Sequence, residues 1–184
     1  MKDRFEVLLD SPSNISRIYS SGYVLVLMDS CFIVRYSDLM EALASEKYVK
    51  SSGRIPTVCD FTRYEVRSIS PWTGGKPWKV LKKAEELNLC TVRTGFIEYG
   101  EPTEKLLGFK EYIDTFKKSY AGVRGRSNKE DLALYVTVLY LRDGGVKVEV
   151  ATVDKVLGGA FEEAGVIVHV EPWIRFQSSM TSTS

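Results

Sequence analysis

Apolar positions along this chain fall into two patterns, unbroken runs and helical spacings, and the two alternate. Tyr23-Val24-Leu25-Val26-Leu27-Met28 runs without a polar residue into Asp29-Ser30, and Cys31-Phe32-Ile33 follows. A run of that length predicts a strand covered on both faces, as in a parallel sheet. Shorter strands are expected over residues 4–9, at 55–58 behind the Gly53-Arg54 turn, over the alternating stretch 91–99, at 146–151 and at 166–170. Between them Phe32, Ile33, Tyr36, Leu39, Met40 and Leu43 recur at helical spacing, predicting one helix over about 31–46. Phe61, Tyr64, Glu65 and Ile69 mark another helix, and Lys79–Leu87 a charged amphipathic one. Residues 104–120, 131–141 and 155–163 complete the set, the last closing at Gly165. Ser127 and Glu130 have the spacing of a capping box ahead of the 131–141 helix. Ser11-Pro12-Ser13 has the form of a helix start, and the breaker-rich Ser70–Trp78 stretch that of a loop.

Strands alternating with helices predict an α/β fold of three layers, α/β/α, around a central and mainly parallel sheet. The length fits one domain over residues 23–176, with an N-terminal extension at 1–22 and a disordered, Ser/Thr-rich tail at 177–184. Net charge is +1, so any basic surface must be local. Three widely spaced cysteines without a Cys-x-x-Cys pair fit buried thiols in a reducing compartment rather than a zinc knuckle or a disulfide framework. No apolar run reaches the length of a membrane span, and the first residues lack the core of a signal peptide. A cytoplasmic protein that does not engage a membrane is expected. The single histidine, His169, lies in an apolar stretch and is expected to be structural. That removes a Ser-His-Asp triad and any multi-histidine metal site.

The remaining chemistry lies in carboxylates. Asp29 ends the first buried strand, Asp154 follows the 146–151 strand, and Asp131 sits in the first turn of the helix between them. Strand C-termini in a parallel sheet share one edge, so these groups are placed to converge. Converging carboxylates repel unless a cation sits among them, and hard oxygen donors without histidine or cysteine select Mg²⁺ or Mn²⁺. Each aspartate has a plainer reading as a helix cap or a complement to a helix dipole. Lys117, Lys118, Arg124, Arg126 and Lys129 form the densest positive cluster, suited to phosphate contact or to a solvated face.

In three places the chain resembles the PIN-domain nucleases. Val26 to Ile33, with Asp29-Ser30, is similar to the family's first motif of an apolar strand, an Asp and a Ser or Thr. Lys129-Glu130-Asp131-Leu132 is similar to its acidic helix start, and Ala151-Thr152-Val153-Asp154, then a helix, Gly165 and a strand, to its ending. The resemblance implies a Mg²⁺- or Mn²⁺-dependent endoribonuclease in which Asp29, Asp131 and Asp154 hold the metal. Ser30 and Thr152 would orient ligands or waters, and the 117–129 cluster would hold RNA. The family's remaining acidic position falls near Thr62, where this chain departs from the pattern. Glu65, one turn on, is the expected substitute and Asp60 the alternative. Trp72, Trp78 and Tyr99 are candidates for base stacking, with packing as the competing role. Expected partners are RNA and either a protein antitoxin or a second copy of the chain. The departure at Thr62 also supports a second reading, a catalytically inactive PIN-like subunit for RNA binding or assembly. A phosphatase using Asp29 as nucleophile expects a carboxylate two residues later, where Cys31 stands.

Overall fold

A computed structural model describes the backbone of residues 6–8 and all of residues 22–120 and 128–174. Among the described residues eight strands form: β1 (Glu6–Leu8), β2 (Val24–Met28), β3 (Arg54–Cys59), β4 (Cys90–Arg93), β5 (Ile97–Glu98), β6 (Glu101–Pro102), β7 (Val148–Ala151) and β8 (Val168–His169). Six of them build one sheet in the order β1-β4-β3-β2-β7-β8, with every neighbouring pair parallel. The short β5–β6 hairpin stands apart. From β2 the chain steps through β3 to β4, then returns to the other side of β2 to lay down β7 and β8. This reversal makes the β2/β7 boundary the topological switch point, the place where open α/β sheets leave a crevice beyond their strand C-termini.

The α/β/α expectation is met, and the alternation of side chains explains the layers. Leu25, Leu27, Ile55, Cys59, Val92 and Val150 point to one face. Helices α7 (Lys110–Tyr120), α8 (Lys129–Asp143) and α9 (Lys155–Glu163) cover it. Val26, Met28, Val58 and Ala151 point to the other. That face is covered by α1 (Ser30–Arg35), α2 (Met40–Ala44), α4 (Asp60–Ser68) and α5 (Lys76–Glu85). Residues 133–139 of α8 are all buried, so its apolar character is spread around the whole helix.

Several boundaries differ from the sequence reading. The single helix expected over 31–46 is divided into α1, a 3₁₀ turn at Ser37–Leu39 and α2. Ser45 then stops α2 with extended backbone and caps α3 (Glu46–Ser52), its hydroxyl accepting from Tyr48 N–H. Periodicity does not register that break because the apolar positions stay in phase across it. Helix α5 starts at Lys76, inside the expected loop, since Pro77 fits a first helical turn. The alternating stretch 91–99 is not one strand: β4 ends at Arg93, and Gly95 takes a left-handed φ of +64° that turns the chain into the hairpin. The helix expected over 104–120 is broken at Gly108 into α6 (Glu104–Leu107) and α7. The cap of α8 is Asn128, which accepts from Glu130 N–H, while Ser127 lies outside the described residues. Also outside them are the helix start at 11–13, the basic loop 121–127 and the tail 177–184. Residues 6–8, assigned to an extension, form the edge strand β1.

His169 is structural. Its Nε2 lies 2.6 Å from Glu149 Oε2, and Arg54 donates to both Glu149 oxygens at 2.9 Å. Burial pushes the Glu149 carboxyl up, but its hydrogen bonds from Arg54 and His169 outweigh that and hold it below the usual range. The network ties β3, β7 and β8 together around β2. None of the three cysteines forms a disulfide, and Cys59 and Cys90 are buried. No described helix is long and apolar enough to cross a membrane.

Candidate active site

Asp29 is the first residue past β2, and its N–H extends the ladder by donating to Ala151 O of β7 at 2.9 Å. Its carboxylate, 8% exposed, is fixed on both oxygens. Ser30 N–H donates to Oδ1 at 2.7 Å, while Thr152 Oγ1 at 3.0 Å and Cys31 Sγ at 2.7 Å converge on Oδ2. Burial, then the charge of Asp29, pushes the Cys31 thiol up to about 12, so it remains a protonated donor near neutral pH. Thr152 follows β7, and its hydroxyl also accepts from Asp154 N–H at 3.1 Å. One hydroxyl therefore joins the two loops that leave the switch point. Asp154 caps α9, Oδ1 accepting from Val156 N–H at 2.8 Å and Leu157 N–H at 3.1 Å. The plain capping role is thus filled, and Oδ2 accepts no hydrogen bond among the described residues.

Asp131 enters from the first turn of α8 and is 5% exposed. Tyr120 Oη donates to its Oδ2 at 2.8 Å. Burial raises the Asp131 carboxyl to about 7, helped by the charges of Asp29, Asp154 and Glu65 and opposed by the Tyr120 hydrogen bond. Glu65 of α4 is likewise pushed up to about 7, first by burial and then by Asp29 and Glu130, against a hydrogen bond with the Ser30 side chain. Among the described residues no cationic side chain offsets either rise. Four separate elements thus deliver Asp29, Glu65, Asp131 and Asp154 to one neighbourhood, with Ser30 and Thr152 bridging them.

Asp60 has a different task. Its two oxygens accept from Phe61 N–H, Thr94 N–H, Thr94 Oγ1 and Gly95 N–H, all within 3.0 Å, so it locks the start of α4 to the chain leaving β4. Lys129 donates to Gly100 O and lies 3.6 Å from Glu101, tethering the β5–β6 hairpin to the helix that carries Asp131. Lys117 and Lys118 are exposed near the end of α7, and Arg124 and Arg126 fall outside the described residues. Tyr99 is fully exposed at the hairpin tip, whereas Trp78 packs under cations on α4 and α5. The sequence reading missed two contributors. In sequence Cys31 reads as a buried thiol standing where a phosphatase has its second carboxylate, not as a donor to Asp29, and Tyr120 stands eleven residues before Asp131 with no motif to mark it.

The donor set is all hard oxygen, which suits Mg²⁺ or Mn²⁺. Among the described residues no three His, Cys, Asp or Glu groups already stand in a ligating arrangement. Mg²⁺ commonly takes one or two carboxylates and completes its shell with water and substrate phosphate, so a closed protein cage is not required. The open Asp154 Oδ2 and the buried, mutually repelling carboxyls of Asp131 and Glu65 fit such a cation. Family models, curated proteins and solved structures were compared with the chain, and none matches.

Proposed function

We propose that the chain is a metal-dependent endoribonuclease of the PIN type, hydrolysing RNA phosphodiester bonds at this acidic cluster. The observation that carries the reading is the gathering of four carboxylates beyond the switch point, two of them raised to about 7 with no described cationic side chain to offset them. Such an arrangement costs stability in the protein alone, and a divalent cation offsets that cost. Asp29, Asp131 and Asp154 would hold Mg²⁺ or Mn²⁺, which supplies counter-charge for the scissile phosphate and acidifies a bound water. The chain's own groups have separate tasks. Ser30 N–H, Thr152 and Cys31 fix the orientation of Asp29 before any ligand arrives. Tyr120 holds Asp131, and Glu65 titrates where it can both accept and release a proton near neutral pH.

One observation favours the inactive PIN-like RNA-binding or assembly subunit, namely that no three groups ligate as they stand. A single experiment separates the readings. A mixed pool of labelled RNA is incubated with Mg²⁺, Mn²⁺ or EDTA and with wild type, Asp29→Asn or Asp154→Asn. Metal-dependent cutting by wild type that both variants lose is the expected result. RNA binding without cutting, unchanged in the variants, would overturn the nuclease and leave the subunit.

A further inference from the structure

We infer that the α4–α5 seam is the surface that grips single-stranded RNA on its way to the acidic cluster. This rests on the nuclease reading and adds to it a binding face distinct from the 117–129 cluster. Three cations surround the indole of Trp78, with Arg63 Cζ at 4.8 Å, Lys82 Nζ at 5.4 Å and Arg67 Cζ at 5.9 Å from a ring centroid. Of the three, only Arg63 has a described carboxylate partner, Glu85. With Arg63 answered by Glu85, Arg67 and Lys82 remain as two like charges over one ring, whose quadrupole offsets only part of their repulsion. A polyanion would offset the rest. Arg67 and Lys82 are exposed and free of carboxylates among the described residues. Tyr64 of α4 is 61% exposed, and Trp72, in the turn that joins α4 to α5, is 82% exposed, large aromatic faces that no described packing explains.

Cations interleaved with open rings suit a single strand, whose phosphates meet the cations while its unpaired bases stack on the rings. An acidic protein would use the charges but leave the rings idle. The seam is joined to the site through one helix. Glu65 lies between Arg63 and Arg67 in α4, and at about 100° per residue it projects roughly opposite to them. The inward side of α4 thus supplies the cluster with a carboxylate while its outward side carries the cations. The distance between binding face and cluster is about a helix diameter, roughly 10 Å.

The test is fluorescence anisotropy of a short labelled single-stranded RNA in EDTA, where cutting is suppressed. The variants are Arg67→Glu with Lys82→Glu, Trp72→Ala alone, and a control pair outside the seam, Lys47→Glu in α3 with Lys147→Glu just before β7. All carry the change at exposed positions, and thermal melting verifies the fold. The seam reversal should weaken binding about tenfold or more relative to the control and lower the salt slope by about 1.4, at about 0.7 per phosphate lost. Trp72→Ala should weaken binding without changing the salt slope. Equal affinity for seam and control reversals would overturn the seam while leaving the nuclease reading intact if wild type still cuts. Seam-dependent binding by a wild type that never cuts would leave the seam standing and remove the nuclease. Seam-dependent capture by phosphatidylserine vesicles, with RNA affinity unmoved, would overturn RNA as the occupant.

Discussion

Asp131→Asn should make the metal-free protein more stable at pH 8 and, on the nuclease proposal, abolish RNA cleavage. The Asp131 carboxyl rises from its ordinary 3.8 to about 7 on folding. At about 1.4 kcal/mol per pH unit, that rise corresponds to roughly 4 kcal/mol against the folded state once the group is ionised. The folded protein holds this proton more tightly than the unfolded chain does. Stability from this group is therefore fully present below pH 3.8 and is lost as pH rises through about 7. Asparagine removes the charge and keeps an oxygen for the Tyr120 hydroxyl, but its amide must still be desolvated. About half of the penalty, near 2 kcal/mol, should be recovered at pH 8, raising Tm by about 4–8 °C for a domain of this size. At pH 5 the folded carboxyl is neutral but the unfolded one is ionised, so only the part of the penalty that accumulates between pH 3.8 and 5 applies, and the advantage of the variant should largely disappear. Thermal melting in EDTA at both pH values measures this, and Mg²⁺ at pH 8 should stabilise wild type more than the variant. A variant that melts lower than wild type at pH 8, or shifts equally at both pH values, would refute the claim that Asp131 is held in a repulsive, desolvated place.

Tyr120→Phe removes the hydrogen bond that opposes the rise of Asp131, so the acid limb of a pH–rate profile at low metal should move to higher pH. An unmoved limb would show that Asp131 does not govern it. Thr152→Val, nearly the same shape, deletes the donor to Asp29 and the acceptor of Asp154 N–H. It should cost about 1–3 kcal/mol in urea unfolding and reduce cleavage in protein that remains folded. Arg54→Ala leaves the buried Glu149 with only His169 of its two described side-chain partners and should cost roughly 2 kcal/mol, below the usual figure for breaking a buried pair because Arg54 is a third exposed and His169 remains. Since the Glu149 carboxyl is held low in the folded state, its contribution is present above its unfolded value and lost as pH falls. The gap between wild type and Arg54→Ala should therefore narrow in acid. Cleavage by folded Arg54→Ala should match wild type.

The sequence by itself determined the layers and the ingredients. The unbroken run at 23–28 forms a strand only when both faces are covered, which already implies helices on each side of a parallel sheet. Asp29, Asp154 and Asp131 are readable from the strand ends and helix start that carry them. Local pattern also places Gly165, which takes φ +77° at the stop of the last helix. Tertiary structure decided what depends on distance between elements far apart in the chain. Periodicity says nothing about strand order, so only the fold shows β2 beside β7 and therefore Thr152 against Asp29. Glu65 and Asp60 are equally acidic in sequence. They are separated by the turn after β4, which offers Asp60 two N–H groups and a hydroxyl while leaving Glu65 to face Ser30. Tyr120 and Cys31 become donors for the same reason, because a hydrogen bond requires proximity that composition cannot supply. The raised carboxyls of Asp131 and Glu65 are likewise tertiary, since burial and mutual repulsion arise only when separate elements pack together.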